Sequence, residues 1–98
     1  MLTSSGSIEE EYETIGLVVG FASSRQTWRG TVDVPKAYKA SLQSLVESAR
    51  ARGADGVIHV SFQNRVAIGP GCAGSKQVFE VFAWGTAVKL RRINVFPD

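Results

Sequence analysis

The stretch Gln77–Leu90 constrains the fold more than any other, because it reads as a β-strand with two apolar faces. Side chains alternate along an extended chain. Val78, Glu80, Phe82, Trp84, Thr86 and Val88 therefore point one way, and Phe79, Val81, Ala83, Gly85, Ala87 and Lys89 the other. Both sets need cover. The rest of the sequence offers one helix, of about 18 residues and so roughly 27 Å long, which covers one face of a three-stranded sheet and leaves the other bare. The simplest partner for the second face is another copy of the chain, so the pattern predicts a homo-oligomer with sheet surface at its interface. Phe82, Trp84 and Glu80 are the expected interface residues.

The remaining elements follow from local signals. Thr14–Phe21 is rich in Val, Ile, Leu and Gly and reads as a first strand. Gly16 and Gly20 mark a bulge or a close backbone approach. Residues 22–32 are polar and read as a connection. Asp33 before Pro35 suits an N-cap followed by proline in the first turn. Tyr38, Leu42, Leu45, Val46 and Ala49 then form one apolar stripe, and Gly53 ends the helix. In Val57–Phe62, Ile58, Val60 and Phe62 are expected against the helix, with His59 and Ser61 on the opposite face. Gly69, Pro70, Gly71 and Gly74 make a hairpin connection. The predicted fold is α+β: a β-α-β-β subunit in two layers, with a three-stranded antiparallel sheet packed on one helix.

Composition narrows the function classes. The 98 residues fit one domain, read as a flexible segment over 1–7 and a single domain over 8–98. At 44% hydrophobic and 20% charged the chain is ordinary for a globular protein. Its net charge of +2 is too small to argue for nucleic acid or an anionic membrane. No run reaches the ~18 apolar residues of a membrane span, residues 1–11 lack a signal peptide's apolar stretch, and the single Cys forms no internal disulfide. A reducing, cytoplasmic setting is expected.

Three segments resemble a known family. Gly53, Ala54, Asp55, Gly56, Val57 and Ile58, with the strand end at Val60–Phe62, are similar to the GADAVIGV-F segment of the YbjQ-like proteins, described as "putative heavy-metal-binding" domains. Gly85, Thr86, Ala87, Val88, Lys89 and Leu90 match their GTAVKL ending, and Ile15, Gly16, Val18, Val19 and Gly20 resemble their opening stretch. The resemblance implies a dodecin-like subunit assembled into a ring, commonly a pentamer. His59 departs from the family, replacing the small residue usual after the Val-Ile pair.

The residues that carry chemistry are few. A zinc or softer ion wants about four thiolate, imidazole or carboxylate ligands. One chain supplies Cys72, His59 and scattered carboxylates, with no CxxC or HxH pair, so a divalent or soft metal ion would need several copies converging on one axis. Glu9, Glu10, Glu11 and Glu13 lack the spacing of a calcium loop and read as a solvated face. Asp55 reads as a turn residue bonding nearby amides. Glu80 needs a cation such as Arg25, Arg29, Arg65 or Lys89, and an ion pair between subunits is expected. No nucleophile sits beside the lone histidine, and GPGCAG over residues 69–74 leads into a strand where a dinucleotide site would open a helix. The expectation is no enzyme. Arg25, Trp28 and Arg29, repeated around a ring, are the candidates for an anion, nucleotide or flavin, and the leading expectation is a non-catalytic binding or scaffold module.

Overall fold

The computed structural model describes residues 1–25, 33–71 and 74–91. Its elements are β1 (Leu2–Thr3), β2 (Tyr12–Arg25), α1 (Val34–Ala51), β3 (Gly56–Gly71) and β4 (Gly74–Leu90). They form one mixed sheet in the order β1-β3-β4-β2, with the helix on one side. The three long strands are antiparallel neighbours as predicted. The fourth strand corrects the three-stranded prediction: Leu2 and Thr3 pair parallel with Gly56 and Val57. Leu2, Thr3, Ser4 and Gly6, within the segment 1–7, bond to the β3 side through their backbone. The amide of Ser4 donates to the Val57 carbonyl at 2.9 Å, that of Val60 to Ser4 at 2.9 Å, and that of His59 to Gly6 at 3.0 Å. A Ser- and Gly-rich composition hid this strap because its bonds come from backbone groups, which every residue carries.

The helix begins and ends as its sequence dictates. The Asp33 carboxylate accepts from the Lys36 amide at 3.1 Å, with proline in the first turn. At the other end Gly53 takes φ +79°, its amide donates to Arg50 at 3.0 Å, and that of Ala54 donates to Ala49 at 3.1 Å. This paired closure is the Schellman motif. Ala37, Ser41, Leu45 and Ala49, spaced by four, are the buried residues of the helix. Tyr38, Leu42 and Val46 from the predicted stripe are half-buried. The stripe is therefore rotated toward the small residues, which lets helix and sheet come close. At Gly20 a Cβ would stand 2.4 Å from the Leu45 amide nitrogen and the Ser41 carbonyl oxygen.

Two bulges set which side chains reach this core. One lies in β2 between Thr14 and Gly16, where Gly16 has φ +146°. The other lies in β3 between Ile58 and Ser61, with His59 at φ +53°. A bulge inserts a residue and reverses the alternation. Val57, opposite Ala87, and Val60 both join the core with Val18, Leu45, Ala49, Ala54, Ala83 and Ala87. Ile58, opposite Thr86, faces away from the helix, contrary to the uniform alternation expected from sequence.

The strands also run further than predicted. β2 continues through Ala22–Arg25, which sequence assigned to a connection, and β3 and β4 extend to Gly71 and Gly74. A 17-residue strand spans about 56 Å at ~3.3 Å per residue, twice the length of the helix. The β3–β4 hairpin therefore projects beyond α1 as an arm.

Candidate functional site

The family-like segments converge on one end of the sheet. Gly56 pairs with Val88, Val57 with Ala87 and Ile58 with Thr86, while Leu17 and Val18 lie across from Thr86 and Gly85. Asp55 ties this end together. Its amide donates to the Val88 carbonyl at 2.9 Å, and its carboxylate accepts from the Leu90 amide at 3.0 Å, with Lys89 at 3.9 Å. Asp55 was expected to bond nearby turn amides; its carboxylate instead accepts from the distant Leu90 amide on β4.

The sheet face turned away from the helix is where the predicted interface residues gather. Phe82 lies across from Phe21 on β2 and Gln63 on β3, and Trp84 lies between Val19 and Ser61. The Phe21 and Phe82 rings stand 5.0 Å apart at 49°, a tilted contact of the kind aromatic pairs prefer. Glu80 and Arg65 are cross-strand partners and form an ion pair. The partner of Glu80 is thus within the chain, where an intersubunit pair was expected, because the register sets Arg65 beside it. The Arg65 guanidinium also lies 5.7 Å from the Phe82 ring centre, within cation–π range. Gln63, Arg65 and Phe82 line a shallow pocket of about 270 Å³. A second pocket, about 170 Å³, lies on the helix side under the strap, between Thr3, Ser4, Ser5, Leu42, Val60 and Phe62.

What sequence reasoning missed is the contribution of β2. Leu17, Val19 and Phe21 are exposed on this face, alternating with buried Val18 and Gly20. The alternation is present in residues 17–21 themselves.

The other candidate residues stand apart. His59 is exposed at the β3 bulge, where its backbone amide donates to the Gly6 carbonyl. Cys72, Trp28 and Arg29 lie outside the described residues; Arg25 closes β2, and its side chain lies outside them too. Gly71, the last residue of β3, is twelve positions from His59 along the same strand, about 40 Å at ~3.3 Å per residue.

The model of the YbjQ family, described as "Putative heavy-metal-binding", matches residues 24–91. The chain belongs to this family. The Gly53–Ile58 and Gly85–Leu90 runs fall inside the matched segment, while Ile15–Gly20 precedes it. A crystal structure of a protein of unknown function from Pediococcus pentosaceus, of the DUF74 family, is similar with a TM-score of 0.73 at 18% identity, covering 93% of this chain and 98% of that one. At that identity the likeness is one of fold. No curated protein matches the chain.

A heavy-metal site does not fit the described residues of this YbjQ-family chain. Among them no three His, Cys, Asp or Glu side chains come together, whereas a closed structural site takes about four. Among them also no helix is long and apolar enough to cross a membrane.

Proposed function

We propose that this chain is a non-catalytic subunit of a homo-oligomeric ring, a binding or scaffold module in which each sheet turns its apolar face toward neighbouring copies. One observation carries the reading. Leu17, Val19 and Phe21 are 65%, 51% and 44% exposed on one face, beside half-buried Phe82 and Trp84. Scattered apolar residues are ordinary on a monomer, but five neighbouring ones on one sheet face mark an interaction surface. Each such side chain gains about 1.5–3 kcal/mol when fully buried, enough in sum to favour association. The family-like ring, commonly a pentamer, meets this need by placing copies of one face together, and a reducing cytoplasm suits its single thiol.

Phe82→Asp tests the reading. A carboxylate at the centre of the face should release subunits with the same far-ultraviolet circular dichroism as wild type and a monomer's mass. An unchanged oligomer would place the interface elsewhere.

The family's description favours a second reading, a divalent or soft metal held between subunits by several Cys72 thiols or by several His59 imidazoles. Zinc, copper and cadmium titrations of wild type, His59→Ala and Cys72→Ser test it. A loss of affinity in one variant supports a site at that residue, and equal weak binding by all three removes it.

A further inference from the structure

The sheet face turned away from α1 is not uniformly apolar. β2 and β4 bring Leu17, Val19, Phe21, Phe82 and Trp84 to it, whereas β3 brings a hydroxyl, an amide and a guanidinium. Ser61 lies across from Trp84, Gln63 from Phe82 and Arg65 from Glu80. All three of these β3 residues are exposed. Burial against an apolar surface has no use for such groups, so this polar column calls for a partner of different chemistry. It borders the pocket of about 270 Å³ lined by Gln63, Arg65 and Phe82.

The three lining residues supply complementary contacts. Phe82 is braced from the β2 side by the Phe21 ring, 5.0 Å away at 49°, and offers a flat apolar surface of fixed orientation. Gln63 adds an amide that both donates and accepts. Among the described residues Arg65 engages Glu80 through Nε, a contact that leaves its two Nη groups to present a pair of parallel donors. The guanidinium stands 5.7 Å from the Phe82 ring centre, and a side chain 64% exposed has room to turn onto the edge of a ring resting there. The complementary ligand is a flat ring that stacks on Phe82 and carries two adjacent acceptors toward Arg65.

Charge and size narrow it further. Glu80, half-buried beside the pocket, offsets the charge of Arg65, so a carboxylate gains little net attraction while the donors of the fork are undiminished. A neutral pair of acceptors suits the site better. The keto oxygen and neighbouring ring nitrogen of guanine are such a pair, met by an Arg fork in bidentate fashion, and unpaired bases stack on aromatic side chains. An apolar cavity of about 150 Å³ takes a benzene ring, so 270 Å³ accommodates a two-ring base. The pocket under the strap is smaller and has no charged side chain in its lining with which to select a ligand.

We propose that Gln63, Arg65 and Phe82 form a binding site for a purine with a keto edge, as the free base or nucleoside. Phe82 is the stacking platform, Arg65 reads the keto edge, and Gln63 makes a second polar contact. The proposal gives a ligand class to the binding-module reading, on which it rests, and it draws every residue from one chain.

Isothermal titration of guanosine into the wild-type chain should show saturable binding. Adenosine, with a donor where guanine has its keto oxygen, and benzoate should bind more weakly. Arg65→Lys keeps a charge beside Glu80 but removes the fork, and should weaken guanosine binding by about ten- to a hundredfold. Gln63→Leu should weaken it less. Both positions are exposed, so the variants should keep wild-type circular dichroism. Absence of saturable guanosine binding, equal binding by Arg65→Lys, or tighter binding of benzoate would each overturn the proposal. Nuclear magnetic resonance on the wild type gives a check free of folding defects. Shift changes on adding guanosine should centre on the Phe82 ring and the Gln63 side-chain amide, and changes centred elsewhere would contradict the site. Native mass on the same samples separates the two readings: an oligomer that binds no guanosine overturns the pocket and leaves the ring, while a monomer that binds it overturns the ring alone.

Discussion

Even and odd residues of β2 have opposite surroundings although they alternate in one strand. Val18 and Gly20 meet the helix, with Val18 buried and Gly20 so close to α1 that no side chain fits. Leu17, Val19 and Phe21 are at least as apolar, yet they stand in the open. Hydrophobicity alone does not separate the two sets, since Val18 is buried and Val19 is 51% exposed; the helix backbone at Ser41 and Leu45 forces a small residue only at Gly20. Backbone groups near the base of the strand are sealed by Ser44, Ser48 and Arg52 of the helix side.

The comparison breaks most sharply at Gly20. Gly20→Val should cost more than about 3 kcal/mol, since overpacking against backbone has no flexible side chain to yield, and thermal melting should show a chain unfolded or nearly so. On the helix side of the same contact, Leu45→Ala should cost about 2–5 kcal/mol through the cavity it leaves, read by urea denaturation at fixed protein concentration.

Val19→Asp moves the test to the other face. Its subunit should keep wild-type circular dichroism, while the melting temperature stops rising with protein concentration, because association no longer adds stability by mass action. A concentration-dependent melt in this variant would mean that Val19 lies outside the interface. Ser44→Ala removes the acceptor for the Phe21 amide at an exposed position. A loss of about 0.5–1.5 kcal/mol is expected. Glu80→Gln should matter least. Arg65 is 64% exposed, and pairs with so much solvent contribute roughly 0–1 kcal/mol.

The sequence was most legible where one residue decides a local conformation. Asp33 and Gly53 placed both ends of the helix, and the two-faced pattern of Val78–Val88 described β4 correctly. Legibility failed where the deciding partner is distant. No local signal shows that Leu2 and Thr3 find Gly56 and Val57, since backbone pairing leaves little trace in side chains. His59 reads as one more alternating residue until its positive φ reverses the faces of β3 and brings Val57 and Val60 together in the core. Ala22–Arg25 looks polar because one face of that stretch leaves the helix-covered base. For the candidate site, Phe82, Trp84 and Glu80 were placed on one face from alternation alone. The register that joins Glu80 to Arg65 depends on the length of the β3–β4 hairpin, which its glycine-rich composition leaves undefined.

The most direct test of the account is the native mass of the wild-type chain, purified under reducing conditions and measured at micromolar concentration. A closed ring predicts one dominant species at an integral multiple of the 10.6 kDa subunit, with five the number implied by the family resemblance. A single species at the subunit mass would contradict it, leaving the face of Leu17, Val19 and Phe21 without the partner on which the account depends.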